Sequence, residues 1–189
     1  MNAIQWLQTR YLPIPLIALM VLTRFHHFGD ALHLPDASLA VFFFAGFYRK
    51  TIFFVFLIAL AALIDTLAIA NGTSSWCVSP AYVFLIPTYA VMWFTGSYCA
   101  RFKSLTGTEL ALSIGLLTLA TTAAFIISNG SFYLFSGRYD DLALSSYVAA
   151  TAGYFLPYAG SALAYGAVIY AGVKLIQLMA IAKTEQNQV

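Results

Sequence analysis

Three long stretches of this chain contain no charged residue: Thr66 to Ala100, Leu110 to Gly137 and Leu142 to Val173. Each exceeds the ~20 residues that an α-helix needs to cross a bilayer. A chain of 189 residues has no polar shell large enough to hide them from water, because only 8% of its side chains are charged against about 25% in ordinary soluble domains. The sequence therefore reads as an all-α, polytopic membrane protein. Its length accommodates about six transmembrane helices of ~20 residues, joined by short connections. With no internal repeat and no low-complexity linker, residues 1–189 are expected to form a single domain. No G-x-x-x-x-G-K-[ST] phosphate loop occurs, so ATP binding of that kind is excluded.

The first span is expected to start at Pro13 or Pro15, residues suited to a first helical turn, and to run through Leu22 towards Gly29. A cleaved signal peptide is not expected, because Arg24, Phe25, His26 and His27 stand where a small-residue cleavage site belongs. The second span, Ala37 to Tyr48, ends at Arg49 and Lys50. The third runs from Thr51 to Ala70 and stops at Asn71-Gly72. The fourth covers Ala81 to Ala100, and the fifth runs from Thr108 to Ser128, with a stop at Asn129-Gly130. A polar stretch, Ser131 to Asp141, leads into a moderately apolar segment, Leu142 to Tyr154. The last span covers Leu156 to about Ile181.

Six spans place Arg10, Arg49, Lys50, Arg101, Lys103 and Lys183 on one side of the membrane and only Arg138 among the loops of the other. By the positive-inside rule both termini are then cytoplasmic. The outer side collects Asp30, His33, Asp36, Trp76, Cys77, Arg138, Asp140 and Asp141. A ligand site in this chain is expected to open outward.

The second span is short. Its helix reaches only ~18 Å across a ~30 Å hydrocarbon core. The preceding His33-Leu34-Pro35-Asp36 must therefore sit below the outer surface, where irregular backbone is tolerated if it lines a polar cavity or is buried in protein. Asp36 also suits a helix N-cap. Arg24 falls near mid-membrane and needs a partner, and Asp65 is the acid buried in an otherwise apolar span. An Arg24–Asp65 pair serves equally as a functional site or as a tie between two helices. His27 shares a face with Arg24 at i, i+3, and His26 shares one with Asp30 at i, i+4.

The mostly helical chain between Cys77 and Cys99 spans ~33 Å, far beyond the ~7 Å limit for a disulfide. Cys99 reads as packing. Cys77, in the loop before the fourth span, reads as a nucleophile, a soft metal ligand or a buried small hydrophobe. Tyr82, Tyr89 and Trp93 share one helix face, as do Tyr154, Tyr158 and Tyr165. Such aromatic stripes are more often packing than binding surface. Gly160, Ala164, Ala167 and Ala171 form a small-residue stripe suited to close helix approach. No His or Cys spacing matches a zinc site.

These features, and above all the Arg-Phe-His-His stretch at Arg24 to His27, Asp65, the Ser-Trp-Cys-Val-Ser-Pro loop around Cys77, and Tyr82, resemble the S-components of energy-coupling-factor vitamin transporters. The resemblance extends over essentially the full chain. Within that group the chain looks most like the solitary cobalamin-transporting BtuM family of Gram-negative bacteria. The resemblance implies an S-component-like, multi-pass protein of the bacterial inner membrane that binds cobalamin from outside, with the Cys77 sulfur as axial cobalt ligand and as an aid to removing the upper cyanide. It further implies that His26 or His27, Asp65, Tyr82 and Arg138 hydrogen-bond the amide-bearing rim or the displaced nucleotide tail.

S-components that dock on a shared coupling subunit carry small residues four apart in the first helix, whereas here Ala18 is flanked at that spacing by Ile14 and Leu22. That departure points to a protein working without a dedicated ATPase module. The expected partners are cobalamin and membrane lipid, with no nucleic acid. Two other functions remain open on the sequence: an intramembrane cysteine transpeptidase or peptidase using Cys77 as nucleophile with His26 or His27 as base, and an S-component for another vitamin.

Overall fold

The computed structural model describes Gln5, Leu7, Gln8 and residues 11–25 and 34–186, and within these the regular structure is entirely helical. Three stretches, Thr51–Ala70, Gly107–Phe135 and Leu144–Met179, are long and apolar enough to cross a membrane. Their outward faces fit that environment. Ile52 is 76% exposed, Leu119 66% and Leu156 78%, a distribution that would aggregate in water but suits contact with acyl chains.

Helix α1, Pro13–Phe25, turns Leu16 and Met20 inward and leaves Ile14, Ala18 and Leu22 on its outer face. Helix α2, Ser38–Tyr48, is buried from Ser38 to Phe47. This helix is thus the core of the bundle, which explains why it is apolar all round. It ends at Arg49 in the left-handed conformation. Helix α3, Thr51–Ala70, stops where the Asn71-Gly72 pair predicts, with Gly72 at φ 99°.

The fourth apolar segment is not one helix. Pro80–Phe84 is a 3₁₀ turn, and α4 covers Leu85–Cys99. Pro87 accounts for the break: its ring clashes with the carbonyl four residues earlier, at Val83, and it has no N–H to donate. The same logic applies near the C-terminus. There Pro157 follows the 3₁₀ turn Ala152–Tyr154, which separates α6, Leu144–Thr151, from α7, Phe155–Gln186.

Helix α5, Gly107–Phe135, corrects the expected stop at Asn129-Gly130. The helix runs through that pair, where Asn129 Nδ2 donates to the Phe125 carbonyl one turn back (3.1 Å) and the Asn129 carbonyl accepts from Tyr147 OH (3.0 Å). Its last turn is anchored by Phe135 stacked on Phe84, with centroids 4.9 Å apart. The stop comes instead at Gly137, with φ 68°.

The tightest helix approach is between α2 and α4. A Cβ on Gly46 would lie 2.7 Å from the Ser97 amide nitrogen, and one on Gly96 would lie 2.8 Å from the Phe43 carbonyl carbon. Neither position has room for a side chain. Ser97 Oγ donates to the Gly46 carbonyl across the crossing (2.9 Å). The stripe of Gly160, Ala164, Ala167 and Ala171, expected at a close crossing, is instead exposed. Helix α7 turns a different register inward, with Ala159, Ala162, Gly166 and Val173 buried.

Helices α1 to α5 and the α6–α7 stretch alternate in direction: Phe42 meets Tyr89 and Gly46 meets Ser97, so α2 runs with α4, while Met92 meets Thr121 and Phe84 meets Phe135, so α5 runs against them. Arg49, Lys50, Arg101 and Lys103 therefore lie in turns at one end of the bundle, and Arg138, Asp140 and Asp141 in a turn at the other. Gln8 Nε2 donating to the Ala100 carbonyl (3.2 Å) and Tyr170 OH donating to the Leu105 carbonyl (2.8 Å) close the basic end.

Candidate functional site

At the end away from the basic turns, the chain encloses a cavity of about 500 Å³ lined by residues from α1, the segment before α2, α3, the 3₁₀ turn and α4, α5 and the start of α7. Its polar floor is organised by Arg24. The side chain is 8% exposed, and a guanidinium so placed requires compensating acceptors. Nε and Nη2 donate to Asp65 Oδ1 (2.7 Å) and Oδ2 (2.6 Å) in the bidentate fork. Nη1 lies within hydrogen-bond distance of Tyr89 OH (2.7 Å), Asp36 Oδ2 (3.1 Å) and Ser38 Oγ (3.1 Å).

Further hydrogen bonds fix the two acids. Tyr82 OH donates to Asp65 Oδ2 (2.5 Å). Asp36 Oδ1 accepts from the Ser38 amide (2.9 Å) and the Ser38 hydroxyl (2.6 Å). Asp36 therefore caps the start of α2 as expected, but one residue earlier than the N-cap position, which Ala37 occupies. Thr23 Oγ1 accepts from the Ala37 amide (3.1 Å), and Tyr165 OH donates to the Pro35 carbonyl (2.8 Å). The irregular segment before α2 is thus pinned from two helices, and Pro35 and Asp36 line the cavity.

One guanidinium meets two carboxylates, so the described cluster carries one net negative charge. The Arg24 fork is committed to Asp65, while both carboxylates keep lone pairs and partial exposure, 28% for the Asp36 side chain and 13% for that of Asp65. Such a floor repels anions and accepts from N–H donors such as amides. Above it the walls are neutral, with Tyr154, Tyr158, Ser128, Asn129 and Ser161 among them. Among the described residues, no group of three or more His, Cys, Asp and Glu side chains is placed to hold a metal ion.

Of the residues singled out in the sequence, Asp65 and Tyr82 come together in this cluster. Arg138 is at the same end of the bundle but stacks on Trp76, its guanidinium carbon 3.9 Å from the ring centroid. Cys77 closes the 3₁₀ turn Ser75–Cys77 in the loop between α3 and α4. His26 and His27 lie outside the described residues. Cys99 is buried, as its reading as packing requires. The aromatic stripes, which read first as packing, also contribute to the site: Tyr82, Tyr89, Tyr154 and Tyr158 all line the cavity. Their hydroxyls were the available signal: a Tyr buried in a membrane helix needs a partner for its O–H. No protein-family model matches this chain, and no curated protein matches it in sequence.

Proposed function

We propose that this chain is a six-span inner-membrane protein, S-component-like in fold, that takes up cobalamin across the bacterial inner membrane. In this reading the basic turns and both termini face the cytoplasm, and the cavity opens outward. The observation that supports it is the negatively charged, acceptor-rich floor formed by Asp36 and Asp65 at the end of the bundle that also carries Cys77. A corrinoid presents a rim of neutral carboxamides, whose N–H groups suit that floor. Vitamins that bind through a carboxylate would meet repulsion there.

A cavity of about 500 Å³ lies within the range of drug-sized ligands, and a corrinoid is larger than these. The macrocycle therefore sits at the mouth, with rim amides reaching inward to Asp65 and Tyr82. Cys77 supplies a thiolate to cobalt from the loop side, a strong soft donor, and its donation weakens the opposite bond to cyanide, which leaves with its electron pair.

Uptake is tested in cells whose own inner-membrane cobalamin transporter is deleted. Expression of this chain should restore accumulation of labelled cyanocobalamin, and Cys77→Ala should reduce it. Accumulation no greater than in cells carrying an empty plasmid would refute the reading.

A further inference from the structure

The loop between α3 and the 3₁₀ turn at Pro80 is held by short-range bonds. The Thr73 amide donates to the Ala68 carbonyl (3.1 Å), the Trp76 amide to Ser74 Oγ (3.2 Å), and the Val78 amide to the Ser75 carbonyl (2.9 Å). The first ties the loop to the end of α3, and the other two lie within the loop, so none of them reaches α5. Trp76 is 53% exposed, and its ring is covered by Arg138, which arrives from the turn after α5. Gly137, at φ 68°, ends α5 and turns the chain so that Arg138 follows directly. A short way below, Phe84 and Phe135 stack nearly parallel, 5° apart in plane, and bring the ends of the same two segments together.

We propose that Arg138 is a positioning residue for Cys77. By covering Trp76, the residue immediately before Cys77, it clasps the 73–79 loop to the end of α5 and restrains the backbone that carries the thiol. This gives Arg138 a role through Trp76 in place of the direct ligand contact that the family resemblance implies. The inference rests on the reading of Cys77 as the group that works at this site, but its test needs no corrinoid. Its failure and the failure of cobalamin binding are therefore read separately.

The clasp is a cation–π contact at an exposed site, and its loss should raise the open fraction of the loop roughly two- to fivefold. The experiment measures the alkylation rate of Cys77 by a membrane-impermeant maleimide in the full-length protein, with each modified site located by peptide mass. The variants are Trp76→Ala, Arg138→Ala, the double variant and Arg138→Lys. Each alanine variant should accelerate Cys77 alkylation by a similar factor, the double variant should be no faster than either, and the lysine variant should fall between wild type and Arg138→Ala. Melting temperature and the slow labelling of buried Cys99 should stay at wild-type values, which separates loop opening from general loosening. Multiplying rate factors in the double variant, or an Arg138→Ala rate equal to wild type, would overturn the proposal.

Discussion

Arg24 and Asp65 face each other through two parallel hydrogen bonds, at 2.7 and 2.6 Å, between the end of α1 and the last third of α3. The pair ties together two helices far apart in sequence and lies in the floor of the cavity.

Removing the cation from this arrangement should be costly. Arg24→Ala strands Asp65 and Asp36 in a low-dielectric setting, and loss of one partner from a buried pair costs about 3–5 kcal/mol. A thermal melt in detergent should show a large drop. Arg24→Lys should recover only part of it, because an ammonium cannot reproduce the fork on Asp65. A wild-type melting temperature for Arg24→Ala would show that the cluster is not under this load.

Tyr82→Phe isolates the hydroxyl that donates to Asp65. A hydrogen bond to a charged group contributes about 1.5–3 kcal/mol, and the phenyl ring retains the packing. Chemical denaturation should report a loss within that range, smaller than the loss for Arg24→Ala. Wild-type stability for Tyr82→Phe would mean that the ring, and not the hydroxyl, is the important part.

The crossing of α2 and α4 offers a test independent of the polar cluster. Gly96→Ala places a Cβ against the backbone of Phe43, which cannot move aside as a side chain can. Overpacking of this kind costs about 1–3 kcal/mol. Gly160→Ala, with open space at its Cβ, should melt like the wild type. Equal melting of the two variants would contradict the observed register.

Orientation is tested by adding a membrane-impermeant maleimide to intact cells. Cys77 should be labelled from outside, while a cysteine introduced by Lys103→Cys should react only after permeabilisation. Reversed labelling would invert the topology.

Much of this architecture was legible in the chain because charge and turn residues mark it strongly. The uncharged runs set the helical class, Asn71-Gly72 ended α3 where expected, and the shortness of the second apolar segment left Pro35 and Asp36 either lining a cavity or buried in protein, of which the first is found. Prolines were less readable. Pro87 and Pro157 each sit in the first turn of an α-helix, where they are tolerated, yet each forces the preceding turn into 3₁₀ geometry. Asn129-Gly130 misled because the same dipeptide that stops α3 is carried through in α5, where Tyr147 OH donates to the Asn129 carbonyl and the Phe84–Phe135 stack holds the following turns. At the site, Arg24 and Asp65 announced themselves as charged groups in apolar segments, whereas Tyr82 stood in an aromatic stripe that reads first as packing. Tyr89 and the second role of Asp36 were not legible either, since which hydroxyl meets a guanidinium depends on helix rotation that periodicity leaves open.

The central claim is that Cys77 binds cobalt. It is tested most directly by the ultraviolet–visible spectrum of detergent-purified protein given cyanocobalamin, compared with that of Cys77→Ala. The account predicts a bound corrinoid whose bands are shifted from those of the free base-on vitamin in the wild type, with the shift abolished in the variant. Wild-type protein that retains no corrinoid, or a bound spectrum identical in the two proteins, would contradict it.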